Sequence, residues 1–435
     1  MHQIGRMVAL LVILAGATAA WLLLSGIMGY RSSEQESSLS GQVAELWGAP
    51  LEQRAPAVTF EHPVYVREHQ GVTDASGRAV LDRDGQQVVR TVDAVHTQRD
   101  PMALGSTDAT IDLRLDPRRK GLIWFALYDV VFEGRYTYHH ERSESGELAI
   151  RFEFPQADGM YDDFHLVVDG VERWDVVPVQ GAVEARVPVE AGRTVSFTVS
   201  YRSRGRDSFV YRPVPDWSVG QVRDLRLAMT TDFGAIDFPA HAMSPSSRAE
   251  AGGGWTLRWD FERLVTGQAI GMVMPQRVQA GPLVAAMSLS APISLALYTM
   301  WIFVLGLLKR IEVHPINHLF LAAAFFAFHL LFGYSADHLP VEVAFGLSAV
   351  VSLFLTTSYL RLVVGGRFAL VEAGLAQGVY LIGFSFAHFF DGWTGLTVTV
   401  LGIGTLFLLM QLTGRIRWAE VLSGGPAGPR PSLDR

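Results

Sequence analysis

Six long apolar runs constrain this chain more than any other feature of its sequence. The first, residues 7–30, contains no charged residue, and a helix of that length crosses a hydrocarbon core about 30 Å thick. Five more runs follow near the end of the chain, at residues 286–308, 316–335, 341–360, 368–390 and 393–412. The sequence therefore predicts six α-helical transmembrane spans, one N-terminal and five C-terminal, in a lipid bilayer.

The first run has an alternative interpretation as a cleaved signal peptide. Arg6 supplies the positive charge that precedes such a peptide, and the small residues at 15–20 resemble a cleavage region. However, the apolar run continues from Trp21 to Met28, beyond the usual apolar region of about 7–15 residues. This length favours an anchor that stays in the membrane.

Lysine and arginine predict the orientation of the spans, because short loops rich in these residues stay on the cytoplasmic side. Arg6 places the N-terminus inside. Further positive charges follow the second, fourth and sixth runs: Lys309, Arg310, Arg361, Arg367, Arg415 and Arg417. The loops after the third and fifth runs instead hold Asp337, His338 and Asp391. We therefore expect a multi-pass protein of the bacterial inner (cytoplasmic) membrane, with both termini cytoplasmic and the middle domain periplasmic.

The middle of the chain differs in composition from its flanks. Residues 31–285 hold 27 of the 36 Lys and Arg and 36 of the 43 Asp and Glu, a formal charge of −9. No basic cluster of the kind that binds nucleic acid is present. The chain also has no cysteine, which excludes disulfides, iron–sulfur clusters and cysteine nucleophiles.

Apolar residues in this middle region alternate with polar ones, the pattern of strands with one buried face. Val195, Phe197 and Val199 follow it, and Asp169-Gly170 is typical of a hairpin turn. The sequence predicts an all-β, sandwich-like periplasmic domain inserted after the first span, as one domain or as two subdomains. It also predicts a linking helix at residues 32–47. The predicted division is 1–30 anchor, 31–285 β-rich domain, 286–418 five-helix bundle and 419–435 disordered cytoplasmic tail.

No strong catalytic motif is present. A phosphate-binding loop would need a glycine-rich stretch before Lys120 or Lys309, and neither lysine follows one. The H-E-x-x-H and G-x-S-x-G motifs are also missing. We therefore expect no catalytic, cofactor-binding or metal-binding residues and no enzymatic activity.

Ionisable residues in or beside the spans are the best candidates for function, because such groups are costly in a membrane. His329 lies near the middle of its span, and the others lie at the predicted periplasmic ends of neighbouring spans: Asp337, His338, His388 and Asp391. Together they could relay protons or bind a divalent metal. The alternative is that the rim residues are simply hydrated at the interface.

Several stretches in the second half resemble the CreD family of bacterial inner-membrane proteins. They are His314-Pro315 after a basic helix end, the Ser335–His338 segment, Tyr359-Leu360 before an arginine, and T-x-x-I-x-W at Thr413 to Trp418. Where the family reads Ser-Glu-His, this chain has one inserted residue between Ser335 and His338. The family's W-P-x-P-S-F stretch is replaced here by DFGAIDFPAHAMSP around residues 232–245.

The resemblance implies a role in cell-envelope integrity, since the family is associated with colicin tolerance and with responses to β-lactams and other cell-wall stress. No family catalytic residues can be carried over. The leading hypothesis is a non-enzymatic protein whose periplasmic β-domain binds a protein or a cell-wall ligand. The alternatives are a transporter or ion pathway, and a metal-dependent membrane enzyme, each using the residues at the ends of the C-terminal helices.

Overall fold

A computed structural model describes residues 2–73, 75–82, 85–121, 123–215, 219–309, 311, 313–390 and 392–414. The tail predicted to be disordered, residues 419–435, lies outside these ranges. The chain forms two compact units. The first, here called the membrane unit, comprises Met1–Ser40, Arg119–Trp124 and Val278–Arg435, and the second, the β unit, comprises Gly41–Arg118 and Phe125–Arg277.

Within the described residues, six helices are long and apolar enough to cross a membrane, which confirms the predicted number of spans. They are α1 (His2–Trp47), α2 (Ala280–Lys309), α3 (Pro315–Ser335), α4 (Val341–Val364), α5 (Phe368–Phe389) and α6 (Trp393–Thr413). The helix predicted at residues 32–47 is the continuation of α1. The chain is therefore a multi-pass membrane protein.

The start of α3 follows directly from the local sequence. His314 is the N-cap, and its Nδ1 accepts a hydrogen bond from the Ile316 N–H over 3.3 Å. Pro315 occupies the first helical turn, where its missing N–H costs nothing. The polar stretch after Lys309 is thus a short connection between two helices, as predicted.

Helix α5 is irregular along its length. Two π-helical segments, Phe368–Ala373 and Gly378–Gly383, alternate with short α-helical segments, Gly374–Gln377 and Phe384–Phe386, and the helix ends in a 3₁₀ turn. A π-helical turn is wider than an α-helical one, and such turns occur often at functional sites. Apolar composition alone does not reveal this irregularity.

A short segment between two strands, Arg119–Trp124, belongs to the membrane unit. Gln279, just before α2, bonds both backbone groups of Trp124: its Oε1 accepts from the Trp124 N–H over 3.1 Å and its Nε2 donates to the Trp124 carbonyl over 2.7 Å. The side-chain amide thereby completes the backbone hydrogen bonding of this tryptophan, as a neighbouring strand would.

The strands form four sheets among the described residues, and three of these sheets belong to the β unit. The strands are β1 (Leu51–Arg54), β2 (Ala57–Gly71), β3 (Val89–Met102), β4 (Ser106–Leu115), β5 (Arg118–Lys120), β6 (Ile123–Phe125), β7 (Leu127–His139), β8 (Gly146–Glu153), β9 (Asp162–Val168), β10 (Val171–Glu172), β11 (Ala182–Val189), β12 (Thr194–Arg206), β13 (Ser208–Arg212), β14 (Gly220–Thr231), β15 (Ser247–Ala251), β16 (Gly254–Thr266) and β17 (Ile270–Val273). The largest sheet has the order β10-β9-β12-β7-β4-β14-β16-β15. The others are β11-β8-β2-β3, β1-β13-β17 and β5-β6, the last lying at the boundary between the two units.

Most neighbouring strands are antiparallel, but two pairs are parallel. Strand β4 pairs with β14 in parallel, and β1 does so with β13. The alternation in the sequence does not distinguish these two pairs from the antiparallel ones. The reason is that alternation reports which face of a strand is buried and not the direction of its neighbour.

The alternating residues face one shared core, as the sequence predicts. Val195, Phe197 and Val199 are buried in β12, and the Asp169-Gly170 turn joins β9 to β10 with both residues at positive φ. Rings of the two larger sheets meet in this core, where Phe152 of β8 lies 6.4 Å from Phe132 and 6.2 Å from Tyr201. This shared core accounts for the alternation.

Candidate functional site

His329, the predicted mid-span histidine, is buried in α3 with 1% of its surface exposed. Its Nδ1 lies 3.1 Å from the Phe325 carbonyl, which can only accept, so Nδ1 carries the proton. In the neutral ring Nε2 is therefore an acceptor, and it has no hydrogen-bond partner among the described residues. The structure thus leaves a nitrogen lone pair unused inside the bundle.

Two more unpaired polar atoms belong to aromatic side chains that contact α3. The Trp21 ring of α1 meets the His329 ring edge-on with 5.6 Å between centroids, and its indole N–H has no acceptor in the described part of the chain. The Tyr298 hydroxyl of α2 is also unpaired, and its ring lies 4.6 Å from that of Phe325. Unsatisfied buried polar groups are rare, so this arrangement is a candidate site for a small hydrogen-bonding species.

Asp337 is paired with an arginine that sequence analysis did not identify. Its carboxylate lies 3.1 Å from the Arg31 guanidinium of α1, and its backbone carbonyl accepts from Arg119 over 2.5 Å. The Arg31 guanidinium also lies over the Tyr334 ring, 5.6 Å from its centroid. A cavity of about 20 Å³ beside this pair has room for one water molecule but not for a substrate, which favours a structural role.

The remaining rim candidates are distributed over separate places. His338 is exposed, whereas His388 is half-buried with its Nε2 2.9 Å from the Ser290 hydroxyl of α2. Asp391 lies outside the described residues. Within the ranges that the structure describes, no three His, Cys, Asp or Glu side chains form a group able to hold a metal ion, and no hydrogen bond joins Asp337 to His388.

A second candidate lies in the β unit, where β2 and β3 form a long hairpin. Strand β8 pairs only with Ala57–Glu61 of β2, whereas β3 pairs with β2 along its whole length to Gly71. Beyond Glu61 the two strands therefore pair only with each other. We call the paired segments 62–71 and 89–98, together with the described residues between them, the arm.

The arm exposes apolar side chains on both of its faces. Tyr65 and Val95 are direct cross-strand partners and are 76% and 60% exposed. The large apolar side chains exposed along the arm are Tyr65, Val66, Leu81, Val88, Val89, Val92 and Val95. Isolated two-stranded hairpins are marginally stable in water, and contiguous exposed apolar surface marks an interaction site.

The base of the arm is held by a carboxylate. Asp100 of β3 accepts hydrogen bonds from Gln98 over 3.1 Å and from Arg142 over 2.5 Å, and His62 lies 3.5 Å away. The Gln98 and Arg142 hydrogen bonds stabilise the charged form, which lowers the pKa of Asp100 below its ordinary value. Asp100 thus connects the edge strand β3 to the segment after β7.

Both sites contain residues that sequence analysis missed. Arg31 is the first charge after an uncharged run, and that position could have suggested a partner at the opposite end of another span. The strands of the arm gave no signal, because alternation reveals a strand only when one face is buried, and most of the arm is exposed on both faces. The sequence offers a hairpin turn at Asp84-Gly85 within the arm, and Asp84 lies outside the described residues.

Comparisons with known proteins identify no family for this chain. No protein-family model and no curated protein matches it. A solved structure from Legionella pneumophila, described provisionally as a nutrient binding protein, aligns at 10% identity over 45% of this chain and 74% of its own length. Its TM-score of 0.29 is too low to support an argument about fold or function. Membership of the CreD family therefore stays a prediction.

Proposed function

We propose that this chain is a non-enzymatic inner-membrane protein that binds an extended polypeptide along β3, in a CreD-like role in envelope integrity or stress response. In this proposal the membrane unit is an anchor with both termini in the cytoplasm. The β unit is a sandwich-like periplasmic domain, and its arm is the binding element. The observation that carries the proposal is the arm, a paired ribbon with exposed apolar side chains on both faces and a free outer edge along β3.

The free edge favours a polypeptide as the partner. Strand β3 is the last strand of its sheet, so half of its backbone N–H and C=O groups have no neighbouring strand. An extended segment can add to such an edge by main-chain hydrogen bonds, with exposed side chains giving specificity. Natural edge strands are usually shortened or covered, whereas this one is long.

The charges on the arm argue against nucleic acid or lipid headgroups. Arg67 lies 3.7 Å from Asp93, and Glu68 lies 2.7 Å from His96. Residues 62–98 contain four arginines and five acidic residues, so this segment has no excess of positive charge that would attract phosphates. The exposed contacts are aliphatic and aromatic, which suits another polypeptide.

The register identifies which N–H groups face the free edge. Pro63 is the partner of Thr97 and has no N–H to donate, so this pair belongs to the non-hydrogen-bonded class of an antiparallel ladder. In such a pair the backbone groups point away from the partner strand. The Thr97 N–H therefore points outward, where an added strand would accept it.

Photo-crosslinking in living cells tests the proposal. A crosslinking amino acid is placed at Val95 on the arm, at Val265 on β16, which is 72% exposed, and at Trp174, an exposed aromatic that would suit a glycan. We expect a discrete protein adduct from position 95 and none from position 265. Capture from position 174 without capture from position 95 would contradict binding at the arm.

Two variants test whether the partner pairs with β3 as an added strand or only contacts its exposed apolar side chains. Thr97→Pro removes one outward N–H without breaking the ladder between β2 and β3, whereas Thr97→Val keeps this N–H and changes only the side chain. We expect the proline variant to lower the adduct yield about tenfold, since removing a hydrogen bond of about 1.4 kcal/mol has this effect. Equal yields from the two variants would show that β3 does not pair with the partner.

A further inference from the structure

The interior of the membrane unit contains a row of hydroxyl side chains. Ser348, Ser352 and Thr356 of α4 are four residues apart, which places them on one face of the helix, and none of them has exposed surface. Gln377 of α5 is likewise fully buried. Four buried polar side chains from two spans thus lie inside the bundle.

The hydrogen bonds among these residues determine the orientation of the Gln377 amide. The Ser352 hydroxyl donates to the Ala324 carbonyl of α3 over 2.7 Å, so its single proton is used. The Gln377 atom 2.9 Å from the Ser352 hydroxyl must then be the donor, Nε2. The amide oxygen, Oε1, has no hydrogen-bond partner among the described residues.

Thr356 differs from its neighbours on α4. The hydroxyls of Ser348 and Thr357 donate to the carbonyl four residues earlier, over 2.8 and 2.7 Å, as hydroxyls in helices often do. The Thr356 hydroxyl makes no such bond and has no partner in the described chain. The unpaired Thr356 hydroxyl is thus one helical turn from Ser352, the residue that the Gln377 amide contacts.

Local backbone geometry brings the two spans together at this level. Gln377 is the last residue of a single α-helical turn between the two π-helical segments of α5. At Gly374, one turn before it, a Cβ would lie 3.4 Å from the Thr357 methyl group of α4, an ordinary packing distance. The two helices are therefore adjacent where the Gln377 side chain meets Ser352 of α4.

We propose that Gln377, Ser352 and Thr356 bind a hard monovalent cation, with Na⁺ as its representative. The free groups are neutral oxygens that can act as acceptors, which match a cation and not an anion. A divalent ion would need carboxylates, and the carboxylate of Glu372 on α5 is already paired with Lys309. Broken or irregular transmembrane helices are a recurring setting for Na⁺ coordination by neutral oxygens.

The site is independent of the function proposed for the β unit. It uses residues of α3, α4 and α5 alone, and it needs neither the arm nor a partner protein. A cation at this position would link three spans, because Ser352 bonds to α3 and Gln377 belongs to α5. Occupancy would therefore stabilise the folded bundle by mass action.

Thermal unfolding of the purified full chain in detergent tests the proposal. The melting temperature is measured in NaCl and in choline chloride at equal ionic strength, over a series of Na⁺ concentrations. We expect Na⁺ to raise the Tm by a few degrees and the rise to saturate, as ligand binding to the folded state requires. Equal melting temperatures in the two salts at all concentrations would overturn the site.

Variants of matched size separate a cation site from simple packing. Thr356→Val removes a buried, unpaired hydroxyl. If Thr356 has only a structural role, the Tm of this variant in choline chloride should equal or exceed that of the unmodified chain, and Na⁺ should raise the Tm of neither protein. A cation site predicts that Thr356→Val and Gln377→Leu abolish the rise produced by Na⁺. Ser348→Ala, which removes a hydroxyl already bonded within α4, should retain it, and a rise that persists in Thr356→Val would contradict the assignment.

Discussion

Single residues show what a sequence reveals about a membrane site and what it conceals. His329 is recognisable because a histidine within an apolar run is unusual, and the structure places it in the interior of the bundle beside Trp21. Its neighbours could not be inferred, because contacts between helices depend on packing. The Arg31–Asp337 pair joins residues 306 positions apart in the chain, and no local pattern links such residues.

Asp100 gives a prediction at the scale of one side chain. Hydrogen bonds from Gln98 and Arg142 lower the pKa of its carboxyl group, so the charged form stabilises the folded state. This contribution is present above the ordinary pKa near 3.8 and is lost as the pH falls through the lower folded-state value. We expect Asp100→Asn to reduce the Tm at pH 7, with the difference from the unmodified chain shrinking below pH 4.

Thermal unfolding of both proteins between pH 3 and pH 7 measures this difference. Glu250→Gln is the control for loss of a surface carboxylate, because Glu250 lies on the exposed strand β15. A Tm difference for Asp100→Asn that stays constant over the whole range would show that the charge of Asp100 does not stabilise the fold.

Elements differ in how well the sequence predicts them. The bilayer thickness fixes the length of a span, so the runs at residues 341–360 and 393–412 match α4 and α6 within a few residues. The π-helical segments of α5 leave no such signal, because they differ from an α-helix only in hydrogen-bond register. The arm is also concealed, since its strands lack a buried face.

Removing the arm tests whether it contributes to folding. Replacing residues 67–93 with Asn-Gly joins the cross-strand partners Val66 and Ala94, a pair of the hydrogen-bonded class, by a two-residue hairpin turn. We expect the Tm to change by less than about 2 °C, because the removed side chains lie outside the core. The protein adduct obtained by crosslinking from Tyr65 should disappear.

A core substitution provides the comparison for this deletion. Phe152 is fully buried between the two larger sheets, so Phe152→Ala should destabilise the β unit by about 3–5 kcal/mol. Denaturant unfolding of the purified chains, followed by tryptophan fluorescence, measures both effects. An arm deletion as damaging as Phe152→Ala would mean that the arm is part of the folding core.

At the scale of the whole molecule, hydropathy and charge separate two kinds of structure. Apolar runs become the helices of the membrane unit, and the acidic region between them becomes the β unit. The sequence did not reveal the two parallel strand pairs or the inclusion of Arg119–Trp124 in the membrane unit. Both depend on contacts between distant segments, which composition does not encode.

The proposed binding role requires one orientation of the chain in the membrane, with the β unit in the periplasm. The chain has no cysteine, so single cysteines can be introduced without background. Ser247→Cys places a thiol on an exposed strand of the β unit, and Arg367→Cys places one in the exposed connection between α4 and α5.

Labelling intact spheroplasts with a membrane-impermeant maleimide tests this orientation directly. With the β unit in the periplasm, we expect Cys at position 247 to react immediately and Cys at position 367 to react only after the membrane is permeabilised. Labelling at position 367 in intact spheroplasts, with position 247 protected, would contradict the orientation and the binding role that depends on it.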